Sequence, residues 1–268
     1  MNAKLKNIIL HVFVWMLLVV FLSVSMSFVV KKRNAVICSV AEVNISEANE
    51  FISETEVKDI LSSANIFING YLSDSVNLDS IEKILLRHNQ VKSVETYITV
   101  EGRLVINIKQ RKPVLRIFNR NGETFYIDED GKLMYTSSRY TPRILVATGN
   151  IFGSPKDNKT CIPDNYDTCN FAVLQLFQLY KLAEEINRDP FMFALVDQIY
   201  VDNNTMVELI PKVSGWSVVI GNTEGIGEKF SNLKTFMLTA PYPDGWEKYK
   251  VVNLSFKNQV VCTKKTNI

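Results

Sequence analysis

The side chains in this sequence that could do chemistry are few: two histidines, four cysteines, one short acidic run and one glycine cluster. His11 sits in an apolar run, and His88 closes a helical pattern. Neither has a nucleophile and an orienting carboxylate beside it in a recognisable motif, as acyl transfer requires. No CxxC, HExxH or grouped His/Cys spacing offers a zinc site. Asp128-Glu129-Asp130-Gly131 opens like a calcium loop, but the later ligands of that loop do not follow, so a solvated turn is expected. Gly221, Gly225 and Gly227 lack the GxxxxGK[ST] phosphate-loop pattern and should only join a strand to a helix. Cys161 and Cys169 bracket the loop CIPDNYDTC. In an oxidising compartment a local disulfide between them is expected, and in a reducing one two thiols. A net charge of +2 gives no nucleic-acid footprint. The residues therefore present no catalytic, cofactor-binding or metal-binding constellation, and the expectation is a protein that is not an enzyme.

The elements that hold these residues begin with an apolar run from Ile8 to Val30, IILHVFVWMLLVVFLSVSMSFVV. As a helix it is about 34 Å long, enough to cross a hydrocarbon core of about 30 Å. Ser25-Met26-Ser27 could mimic a signal-peptide cleavage site. The run is longer than a secretory h-region and continues past that point, so an uncleaved anchor is expected. Lysines and Arg33 flank both ends almost equally, and charge alone does not orient the span.

After the anchor, the patterning switches between periods of 2 and 3.6 residues. Val36–Ile45 reads as a strand. Ser53 with Glu56 makes a capping box before an apolar stripe of Val57, Ile60, Leu61 and Ala64. Asn77 or Asp79 caps a second stripe of Leu78, Ile81, Leu85 and His88. Val94, Thr96, Ile98 and Val100 then share one strand face, as do Leu104, Ile106 and Ile108, joined by a turn at Glu101-Gly102. The order is β-α-α-β-β. From Pro113 on, short strands dominate: Val114–Phe118, TFYID after the Asn121-Gly122 turn, RILVAT, then Leu195–Val201, Met206–Ile210 and Trp216–Ile220. Helices over Phe171–Arg188 and about 227–238 interrupt them. Two strands, Val251–Phe256 and Val260–Thr263, end the chain. The fold class is α+β: one N-terminal transmembrane helix (residues 8–30, after a tail of 1–7), a small α/β unit (34–112) and an antiparallel-rich β domain with helices (113–268).

The stretches LVINIKQRKPVLRI, FYIDEDGKLM and TPRILVATGN, in this order behind a single span and a β-α-α-β-β unit, resemble the FtsQ/DivIB family of bacterial cell-division proteins. The resemblance covers nearly the whole chain. It implies that residues 34–112 form a POTRA domain and 113–268 the family's β domain. It implies a non-catalytic scaffold of the divisome in the inner membrane, single-pass, with a cytoplasmic N-terminus and a periplasmic body enriched at the septum. Partners implied are FtsB-like and FtsL-like single-span proteins, with other divisome components reaching the POTRA domain, and a role in controlling septal peptidoglycan synthesis. The alternative is a POTRA-bearing component of protein export or outer-membrane assembly, which would call for several POTRA units or a barrel.

By the same resemblance an FtsB-like partner docks on the terminal strands, at Asn253, Ser255, Phe256, Lys257, Gln259, Val260 and Cys262. Leu254 and Phe256 are expected on the core face, with Asn253, Ser255 and Lys257 pointing away. Ser255-Phe256 stands where better-known members carry Arg-Tyr, which removes a cation. Lys257 or Lys264-Lys265 could replace it without bidentate geometry. The terminal strand is expected to leave its outer edge open for the partner.

Overall fold

The structure, a computed structural model, describes residues 3–34, 39–46, 51–66, 76–157, 160–163, 169–213, 215–239 and 248–265. The first element is one helix, α1 (Ala3–Asn34). Its side chains are described from 11 to 27, and there they are exposed, Trp15 and Phe21 included. Among the described residues no helix is long and apolar enough to cross a membrane. The expected span, residues 8–30, runs past both ends of the stretch whose side chains are described.

The chain divides into two compact units, residues 1–48 with 52–110, and residues 49–51 with 111–268. In the first unit, β1 (Ser39–Ser46), α2 (Glu54–Ser63), α3 (Leu78–Leu85), β2 (Val91–Ile98) and β3 (Arg103–Gln110) follow one another. The sheet order is β1-β3-β2, with β1 parallel and β2 antiparallel to β3. Caps set the helix starts: Ser53 Oγ accepts from the Glu56 amide at 3.2 Å, and Asn77 Oδ1 from the Ser80 amide at 3.0 Å. Each satisfies a donor that a helix N-terminus leaves free. Val57, Leu61, Ile81 and Leu85 then meet Val94, Leu104, Ile106 and Ile108 in one core. Val100 does not join its expected face. β2 stops at Ile98, a turn closes from the Thr99 amide to the Arg103 carbonyl at 2.9 Å, and Val100 is 96% exposed.

In the second unit the strands are β4 (Pro113–Phe118), β5 (Thr124–Asp128), β6 (Leu133–Tyr135), β7 (Leu145–Gly149), β8 (Val196–Val201), β9 (Val207–Pro211), β10 (Ser217–Gly221), β11 (Tyr249–Asn253) and β12 (Val261–Lys264). They form one sheet in the order β12-β11-β10-β9-β8-β7-β4-β5-β6. Antiparallel pairs predominate, with parallel joins at β4–β7, β7–β8 and β10–β11. The helices are α4 (Phe171–Arg188), α5 (Pro190–Leu195) and α6 (Ile226–Thr239). Their apolar sides and one sheet face share a core, in which Leu176, Leu179, Ala183 and Leu233 meet Leu115, Phe125, Ile199 and Val218. Pro190 begins α5 rather than merely ending α4. Asp189 caps it, accepting from the Phe191 and Met192 amides at 3.0 and 3.2 Å, and Pro suits a first helical position because it lacks an N–H. On the other sheet face, Tyr126 and Met134 pack with Phe51, whose ring meets Tyr140 edge-on at 5.1 Å.

The acidic run is not a solvated turn at its first residue. Asp128 is completely buried. Its Oδ1 accepts from the Asp130 and Lys132 amides at 2.9 and 2.7 Å, and its Oδ2 from Arg111. The carboxylate is consumed in closing the β5–β6 turn, where Gly131 adopts φ +71. Gly149 ends β7 at φ +104, and a Cβ there would stand 2.1 Å from the Val201 carbonyl oxygen, a contact only glycine permits.

Candidate partner-docking edge

The last two strands form a hairpin. β11 pairs parallel with β10, and β12 pairs antiparallel with β11. Among the described residues no strand lies beyond β12, so β12 is an edge. Two hydrogen bonds fix which of its backbone groups face out. The Leu254 amide donates to the Val219 carbonyl of β10 at 2.8 Å, so Val252, two residues before it, also faces β10. Val251 and Asn253 therefore turn toward β12, where their register partners are Thr263 and Val261. The Lys265 amide donates inward to the Lys248 carbonyl at 2.8 Å, in phase with Thr263 and Val261. The intervening residues, Cys262 and Lys264, direct N–H and C=O outward, because alternate residues of an edge strand do so.

The tip of the hairpin departs from the sequence reading. β11 ends at Asn253, and residues 254–260 turn rather than extend. Asn253 Oδ1 accepts from the Ser255 amide at 2.9 Å and from its hydroxyl at 2.6 Å. Asn258 takes φ +60, and the Gln259 amide closes onto the Phe256 carbonyl. Leu254 and Phe256 consequently do not share a face: Leu254 is buried and Phe256 is 53% exposed. Lys257 and Gln259 are exposed on the turn, Ser255 is half-buried, and Val260 and Cys262 pack partly against the core. Val260 lies one residue before β12.

A groove runs beside this tip, with Leu254, Phe256 and Lys257 on one side and Asn222, Glu224 and Glu228 on the other. Lys229 braces its floor. Its Nζ donates to the Ile220 and Asn222 carbonyls at 3.0 and 2.7 Å and to Asn222 Oδ1 at 2.8 Å. Burial pulls the Lys229 pKa down, against the Glu224 charge that pushes it up. Sequence reading missed Lys229 and this groove, because the loop before α6 carries no motif that brings it to the hairpin.

The cysteines play no part at this edge except Cys262, whose thiol is pushed up by partial burial. Cys161 is a free, completely buried thiol, so the expected bridge to Cys169 is not formed. Its sulfur packs into the core, 3.4 Å from where a Cβ on Gly131 would stand. Cys169 is half-buried just ahead of α4. Cys38 lies outside the described residues. Among the described residues no group of His, Cys, Asp and Glu could hold a metal ion.

Residues 112–263 match the family described as FtsQ/DivIB, C-terminal related, a stretch longer than half the chain. The chain belongs to the FtsQ/DivIB family. Residues 36–109 match a POTRA-like domain, the part that carries β1 to β3 with α2 and α3. No curated protein matches the chain. The FtsQ/DivIB match includes β11 and reaches Thr263 in β12, so the edge belongs to the family domain itself. These FtsQ/DivIB-related domains mark a cell-division protein.

Proposed function

We propose that this protein is a non-catalytic, membrane-anchored scaffold of the bacterial division machinery, and that a partner strand completes its sheet at β12. The observation that carries the reading is the open edge, with the backbone N–H and C=O of Cys262 and Lys264 directed outward in the terminal domain of a cell-division family. A strand added there gains main-chain hydrogen bonds, and side chains beside it, Phe256 and Val261 among them, set specificity. The partner is an FtsB-like single-span protein, acting with an FtsL-like one, and the POTRA-like unit receives other divisome components. α1 is the anchor: its apolar side chains, exposed from residue 12 to 26, suit a lipid solvent. The N-terminus is cytoplasmic and the body periplasmic, at the septum.

The experiment is a pull-down with Cys262→Pro. Proline at that position removes an outward donor and leaves the bonds to β11 in place, as edge strands tolerate. The variant is expected to stay folded by circular dichroism and to lose the FtsB-like partner. Undiminished capture by the folded variant rejects the edge. A fluorescent fusion is expected at midcell, and protease added to spheroplasts is expected to digest the body.

A further inference from the structure

A polar residue stands in the apolar stripe of β2. Thr96 lies between Val94 and Ile98, which join the core under the helices, and Glu82 of α3 meets it there. Glu82 Oε1 accepts from the Thr96 amide at 2.8 Å and from the Thr96 hydroxyl at 3.0 Å. That amide faces away from the sheet. The Thr99 amide donates to the Arg103 carbonyl of β3 at 2.9 Å, so Thr99, Tyr97 and Glu95 turn their backbone groups inward, while Val94, Thr96 and Ile98 turn theirs outward. β2 is the last strand on its side of the three-stranded sheet. Its outer edge thus offers three outward positions, and the middle one is already held by a carboxylate of the same unit. Among the described residues Glu82 makes no ion pair, so these two hydrogen bonds are what hold it against the strand.

We propose that Glu82 is a lock on the outer edge of β2, which keeps a second copy of this chain from adding its own β2 there. An unpaired edge invites pairing, and charged side chains are a common guard against it. The second copy is the occupant because β2 is complementary to itself. Two antiparallel copies centred on Thr96 place Val94 opposite Ile98 and Glu95 opposite Tyr97, with no like charges facing. The two Thr96 residues then exchange both of their N–H···O=C bonds, and the arrangement closes as a two-fold dimer. It does not form while Glu82 holds the Thr96 amide, because one donor would have to serve two acceptors. The carboxylate wins this competition, since a hydrogen bond to a charged acceptor is stronger than one to a neutral carbonyl. The lock lies wholly in the first unit, and it works whatever occupies β12.

The test follows the full chain in detergent by analytical ultracentrifugation, as wild type, as Glu82→Ala and as Glu82→Ala with Thr96→Pro. Glu82→Ala is expected to stay folded by circular dichroism. It should self-associate about tenfold more tightly than wild type, since neither copy then gives up charge-assisted bonds in order to pair. Thr96→Pro removes the outward donor and leaves the bonds to β3 in place, as edge strands tolerate, and is expected to restore the wild-type behaviour. Hydrogen exchange gives a second reading at a dilution where every variant is monomeric. There the Thr96 amide is expected to exchange about tenfold faster in Glu82→Ala than in wild type. Equal self-association of wild type and Glu82→Ala overturns the lock, as does a Thr96 amide whose exchange is unchanged by the substitution. Tighter association that persists in the double variant overturns β2 as the pairing edge. Failure of Glu82→Ala to fold also overturns the lock, because Glu82 would then be a structural support of the unit.

Discussion

Arg111 Nη1 donates to Asp128 Oδ2 at 2.8 Å, and the carboxylate it meets is completely buried. This pair joins the chain entering β4 to the turn after β5, and the same carboxylate holds the turn's amides. Removing one partner of such a pair strands the other. Asp128→Ala is expected to lower stability by about 3 kcal/mol, toward the low end for a buried pair because Arg111 keeps some solvent access. Asp128→Asn, which keeps an acceptor for the turn, should lose less. Urea midpoints of the two variants check the order.

Within the helical stripe of α2 the burial is graded. Val57 and Leu61 are fully buried, while Ile60 is half-buried. Leu61→Ala is expected to cost about 2–5 kcal/mol through lost transfer energy and a residual cavity. Ile60→Ala should cost clearly less. Thermal melts of both variants, each followed by circular dichroism, test the ranking.

Glu123 carries a pH signature. Hydrogen bonds from Lys156, then Asn119 and Ser154, hold its carboxyl down to about 2, against an ordinary 4.5. A depressed carboxyl stabilises the folded state above its unfolded value. That stabilisation is full above pH 4.5 and is lost as pH falls toward about 2. The melting-temperature gap between wild type and Glu123→Gln is therefore expected to be widest near neutrality and to narrow across this window. A constant gap from pH 7 to pH 2 would contradict it.

Burial pushes the Cys161 thiol up to about 12. Since the thiolate is the nucleophile, iodoacetamide at pH 8 is expected to leave Cys161 unlabelled in the folded protein and to label it after denaturation. Peptide mass mapping reads both states. Labelling in the folded state, or a Cys161–Cys169 disulfide found without reduction, would show that the core opens there.

The parts legible in the sequence were those fixed by neighbours within a few residues. The stripes of α2 and α3 follow from i, i+3, i+4 spacing as far as Leu61 and Leu85, whereas Ala64 is exposed at the end of α2 and His88 lies beyond α3; Ser53 and Asn77 mark the helix starts because a cap acts only over two or three residues. Asn121-Gly122 announced a hairpin since Gly122 takes φ +78. The limits have the same cause. Alternation through Asn253 to Phe256 looks like a continuing strand, but the chain turns at Asn258, and Phe256 leaves the core. Asp128 looked solvated because the sequence does not say that Arg111 will stand beside it. Strand order is set by which hydrophobic faces meet under the helices, a choice made among distant segments. The open edge depended on it most. Only the pairing of β10 with β11, and of β11 with β12, decides that Thr263 faces its own sheet while Cys262 and Lys264 face outward, since a one-residue change of register would exchange them.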